Sequence, residues 1–167
     1  VTHGLGVAPK IIIIKNRDVA DPWAVLPPGR NDLYLVLNTT VGWADDATFW
    51  NDTSPSSTVF TVSTDHSVNA DGETYIAYCF AEVQGYSQFG TYYGNGSTDG
   101  AYVHLGFKPS LVIFKVISDP NYGYSMIDNK RSTINPMDDD LYANSEDAEV
   151  TDANEVDFLS TGFKLRS

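Results

Sequence analysis

The chain has one cysteine, few basic residues, little glutamate and no long apolar run. A single thiol, Cys79, excludes an internal disulfide framework and a cysteine-built zinc site. The longest aliphatic run is Ile11 to Ile14. A membrane helix needs roughly 18–20 such residues, so no membrane insertion is expected. Lys and Arg total 10 against 22 Asp and Glu, a formal charge of -12. That balance argues against a nucleic-acid binder, which needs a basic face to displace counterions. It argues equally against adhesion to anionic lipid. The acids are 17 Asp and only 5 Glu. Glutamate suits helices, whereas aspartate bonds to nearby backbone and sits in turns and caps. The composition therefore points to an all-β protein with acidic loops. With 42% of its 167 residues hydrophobic, the chain can build a core.

What is present is self-similarity. LGVAPKIIIIK (5–15) and LGFKPSLVIFK (105–115) match at Leu5, Gly6, Pro9, Ile13 and Lys15 with a constant offset of 100. LVLNTT (35–40) resembles LYANSE (141–146), aligning Asn38 with Asn144, and VFTVS (59–63) resembles GFKLR (162–166). Three matches in one order imply an internal duplication of about 100 residues, the size of a whole β-domain. The expected organisation is two tandem β-sandwich units, jelly-roll-like. Residues 1–88 form a first unit lacking its opening strand, and residues 89–167 a second lacking its closing strand. Both ends read as cut from something larger.

Apolar runs bounded by turn residues predict strands at 10–15, 33–37, 58–63, 74–83, 101–105, 111–117 and 123–127. Both faces of TYIAYCFAEV (74–83) are apolar, which predicts a strand buried on both sides. Only 44–48 and 145–154 look able to form short helical turns. Trp23 falls near Tyr122 or Tyr124 of the second copy, which suggests a core position in each.

No motif points to catalysis. His3, His66 and His104 lie near no GxSxG elbow, and the near-equivalent His3 and His104 suggest a turn hydrogen bond. Cys79, inside an apolar strand, reads as a small hydrophobe. Residues 67–72 echo a calcium loop only faintly and read better as a hairpin turn. Asp138-Asp139-Asp140 reads as a solvated charge run, so no metal and no cofactor are expected. The whole stretch 138–157 holds nine acids and no Lys or Arg. It is expected to be exposed, with any interface it makes weakened by salt. Loop aromatics are the better lead: Trp43, Trp50, Tyr92 and Tyr93 are candidate glycan contacts, because sugars stack on aromatic faces.

HGLGVAPKIIIIKNR (3–17), LVLNTT (35–40), VNADGETYIAYCFAEV (68–83), GTYYGNGSTDG (90–100), LGFKPSLVIFK (105–115) and GFKLR (162–166) together resemble a domain of unknown function in tail proteins of tailed phages, common in marine phages. The resemblance covers nearly the whole chain and includes no catalytic motif. The chain departs from the pattern at INPMDDDLYANSEDAE (134–149), where the family has a more neutral loop. The resemblance implies a virion protein, in a tail or surface appendage. Its implied role is a non-enzymatic structural and adhesion module contributing to host attachment. Expected partners are other virion proteins, a host surface glycan and further copies of itself, a homotrimer by analogy with fibres. The alternatives are a glycan depolymerase using an Asp/Glu pair, and a ligand-free capsid or tail scaffold.

Overall fold

A computed structural model describes residues 1–153 and 155–166. The chain divides into two compact units: Val1–Glu82 with Ile117–Asn121, and Val83–Val116 with Tyr122–Ser167. Both are antiparallel β-structures, and the only helices among the described residues are two of four residues each.

In the first unit, β1 (Ile11–Asn16), β2 (Ala24–Leu26), β3 (Leu33–Val36), β4 (Ala44–Asp45) and β5 (Tyr75–Phe80) make one sheet in the order β4-β3-β2-β1-β5. The side chains of β1 alternate, as the period of a strand requires. Ile12 and Ile14 point into a core with Ala24, Leu26, Phe49, Trp50, Phe60 and Val68, while Ile11 and Ile13 turn outward and are half-buried. Helix α1 (Ala47–Trp50) starts at Asp46, whose carboxylate accepts the Thr48 N–H at 2.9 Å. It ends at Asn51, in the left-handed region at φ 52°. This single turn delivers Phe49 and Trp50 to the core. Helix α2 (His66–Asn69) is capped in the same way by Asp65.

In the second unit, β6 (Tyr102–His104), β10 (Val156–Leu159) and β11 (Gly162–Leu165) form one sheet, in the order β10-β11-β6. β7 (Leu111–Lys115), β8 (Tyr124–Asp128) and β9 (Leu141–Tyr142) form another, in the order β7-β8-β9. Val112 and Ile127 of the second sheet share one core with Val156, Phe158, Phe163 and Leu165 of the first, and Met137 joins them.

The two meanders β1-β2-β3 and β7-β8-β9 follow one pattern. Asn38 Oδ1 accepts the Trp23 N–H at 3.0 Å, and Asn144 Oδ1 accepts the Tyr124 N–H at 2.7 Å. Leu37 N–H donates to the Trp23 carbonyl as Ala143 N–H does to that of Tyr124. Gly6 and Gly106 both take positive φ, 75° and 77°, and Pro9 and Pro109 are both buried. In each unit a second pairing accompanies the meander: the bridge Thr2↔Val59 in the first, β6·β11 in the second.

Several sequence expectations are corrected. Residues 58–63 make a single bridge rather than a strand, because among the described residues their ladder neighbour is the short segment at Thr2. The run at 74–83 is not buried on both sides. β5 is an edge strand, and Ile76, Tyr78 and Phe80 are exposed. The described residues of 145–154 contain no helix, and Asn154 lies outside them. β2, β4, β9 and β10, and the helix at 66–69, have no strand or helix signal in the sequence pattern. Each is short or interrupted by polar residues, and tertiary pairing rather than pattern makes it.

Candidate interaction surfaces

The four candidate aromatics do not form one site. Trp50 is 1% exposed, in the core against Phe49, so it offers no face to a ligand. That corrects its place among glycan contacts. Trp43 is half-buried with the Arg30 guanidinium 5.2 Å from its ring centre. In the second unit Tyr92 packs edge-on against Phe163 at 6.3 Å, while Tyr93 is 93% exposed.

Arg30 is held by a two-pronged bond to Asp32, at 2.9 Å and 2.6 Å. With Lys10, Leu26, Asn31 and Ser54 it lines a hollow of about 190 Å³. That is below the roughly 300–1,000 Å³ of ordinary ligand pockets.

The polar side chains mostly organise backbone. His3 accepts the Leu5 N–H through Nδ1 at 3.2 Å, a turn bond of the kind expected. His66 Nδ1 lies 2.9 Å from Asp21, and that bond raises the affinity of the ring for its proton. Asn16 is buried, and its amide donates to Asp21 at 2.9 Å and also to Glu73. Its oxygen accepts the Asp18 N–H at 3.0 Å. Burial pushes the Cys79 thiol up, which suits a packing residue rather than a nucleophile. Among the described residues no three His, Cys, Asp or Glu side chains could hold a metal ion.

The acidic stretch is not uniformly solvated, which corrects the expectation of exposure. Asp140 is 0% exposed; its Oδ1 accepts the Met126 N–H at 3.0 Å, and burial raises its pKa. Asp157 is buried and paired with Arg166. Ser132 Oγ lies 3.0 Å from the Asp138 carboxylate and 2.9 Å from that of Asp139, and it accepts both their N–H groups. Arg131 joins Asp128 at 2.6 Å to Glu149 at 2.8 Å. Glu146, Asp147 and Asp152 remain exposed.

Both units carry outward apolar side chains on strands. In the first unit Phe80 and Tyr78 stand opposite Ile11 and Ile13 on the outward face, with Ile76 beyond. Trp23 stacks on Tyr78 at 6.3 Å and 18°. In the second unit Leu111 and Ile113 take the outward positions of β7.

These features define an antiparallel all-β protein with outward apolar side chains on its strands. It belongs to the family described as Domain of unknown function (DUF7483), whose pattern matches residues 1–167. No curated protein and no solved structure matches the chain.

Proposed function

We propose that the chain is a non-enzymatic structural and adhesion module of a phage tail appendage, made of two tandem copies of one sandwich unit. The matched bonds of Asn38 and Asn144, the matched glycines and the second pairing in each unit support the duplication. The sequence resemblance supports the virion setting. The observation that carries the adhesive reading is the outward apolar row of β1 and β5, because such rows on soluble proteins mark contact surfaces. Tyr93 adds an exposed aromatic of the kind that stacks on sugars. The structured carboxylates fit a structural role: Asp32, Asp128 and Asp157 face arginines, and Asp46 and Asp65 cap helices.

Two measurements test this. A glycan array carrying bacterial lipopolysaccharides should show binding that Tyr93→Ala weakens. An electron-microscopy map of the virion should place the chain in a tail or surface appendage. Binding without release of reducing ends separates adhesion from depolymerisation. A chain that binds no glycan and lies inside the capsid wall would sink the proposal.

A further inference from the structure

We propose that the outer edge of β7 accepts an added antiparallel strand, and that its occupant has the chemistry of β5. That chemistry is Ile, Tyr and Phe alternating outward, with small apolar residues such as Ala and Cys between them. The inference rests on comparing the two meanders and does not depend on the adhesion reading.

β1 and β7 hold the same place, each beginning two residues after a buried proline and hairpinned to the next strand. β1 has neighbours on both sides, β2 and β5, whereas among the described residues β7 has only β8. The backbone phase agrees as well. The Arg17 N–H donates to the Thr74 carbonyl at 2.9 Å. By antiparallel alternation, Ile13 and Ile11 then turn their backbone groups toward β5. On β7 the Asn129 N–H donates to the Ser110 carbonyl at 3.1 Å. The same alternation turns Leu111 and Ile113 to the edge that has no strand.

Exposure follows the missing neighbour. Ile11 and Ile13 are half-buried, while Leu111 is 55% and Ile113 52% exposed. On the inner face Ile12 is 0% exposed and Val112 9%, and Ile14 is buried where Phe114 is only half-buried. At all four positions β7 lacks cover that β1 has.

The same unit closes another edge. Asn135 bonds Phe158 of β10 both ways, at 3.1 Å and 2.9 Å, and the Met137 N–H donates to the Val156 carbonyl at 2.7 Å. Blocking an edge is how soluble sheets avoid added strands, and β7 has no such block among the described residues.

β1 also supplies the register. Ile11↔Phe80 and Ile13↔Tyr78 transpose to Phe opposite Leu111 and Tyr opposite Ile113. Ile14 faces Ala77, and the larger Phe114 at that place calls for a residue at least as small. The outer edge of β5 is a second open edge, but no strand elsewhere in the chain shows what would pair there.

The test is a fluorescein-labelled peptide of residues 74–83, carrying Cys79→Ser and flanking lysines, titrated with the 167-residue chain. Saturable one-to-one binding is expected. The pair Leu111→Lys/Ile113→Lys should weaken it more than about tenfold, and so should a permuted peptide that breaks the alternation. Both substituted side chains point outward, and circular dichroism checks that the variant is folded. No binding to the folded chain at up to about 1 mM, an affinity worth only some 4 kcal/mol, overturns the proposal. Binding that the lysine pair leaves unchanged also overturns it, because the peptide would then be exchanging with β5 at β1. A dimer that the same pair turns into monomers, and that cross-linking shows to join β7 to β7 of the second copy, overturns it too, because that occupant lacks the chemistry of β5.

Discussion

At the scale of single residues, two tryptophans that look alike in the sequence are opposites in the fold. Trp50 is enclosed by the first core, so Trp50→Ala should cost about 3–5 kcal/mol in urea unfolding. Trp43 meets Arg30 at the surface, so Trp43→Ala should cost only about 0.5–1 kcal/mol. Equal losses would refute this placement. Asp140 is the other decisive residue. Its folded-state pKa lies above the usual 3.8, first through burial, so the folded chain holds the proton more tightly than the unfolded one. Stability from this group is therefore present at low pH and falls as pH rises from about 3.8 through the folded value. Asp140→Asn keeps an acceptor for the Met126 N–H and should abolish that part of the pH dependence. A profile identical to the parent's would refute the assignment. Neither result is legible in the sequence, where Asp138-Asp139-Asp140 is a uniform charge run.

Among the elements, the recurrence before the first strand of each meander was legible, and the turn it makes was not. Leu-Gly-x-x-Pro recurs at 5–9 and 105–109, and both glycines adopt a conformation that other residues resist. No atom would obstruct a Cβ at either place. Gly6→Ala and Gly106→Ala should therefore each cost about 1–2 kcal/mol through backbone strain alone. Thermal melts of both variants check this, and an unchanged melting temperature would refute it. The asparagine bonds that hold the third strands were legible only as an alignment. Asn144→Ala leaves the Tyr124 N–H without its acceptor and should cost about 1–3 kcal/mol. Asn38→Ala acts in a more exposed setting and should cost less. The strand at 74–83 misled because pattern reports apolarity and not cover: an edge strand with an apolar outward row reads like a buried one.

At the scale of the whole molecule, the charge of -12 is distributed by structure. Burial acts to raise Asp128, but bonds from Arg131 and from nearby backbone N–H groups outweigh it and hold the carboxyl below 3.8. Asp99 beside Lys164, Asp32 beside Arg30, Asp18 bonded to Thr74 and Asp46 bonded to Thr48 are lowered as well. Such groups contribute stability above about pH 3.8 that is lost as pH falls through their folded values, opposite in sign to Asp140. Acid unfolding should therefore steepen below about pH 3.8, and more gently in Arg131→Gln than in the parent. An Arg131→Gln profile parallel to the parent's would refute that.

Local chemistry was enough for the class of fold, the two strands β1 and β7 and the recurrence of the segment before each. The signals are short runs rich in β-branched and aromatic residues, turn residues between them, and aspartate in place of glutamate. Tertiary structure decided which apolar faces are covered, which acids are buried and which strand edge is open. Cover is a property of neighbours. Ile13 and Ile113 occupy matching positions of matching motifs, and only the presence of β5 beside one and not the other separates them.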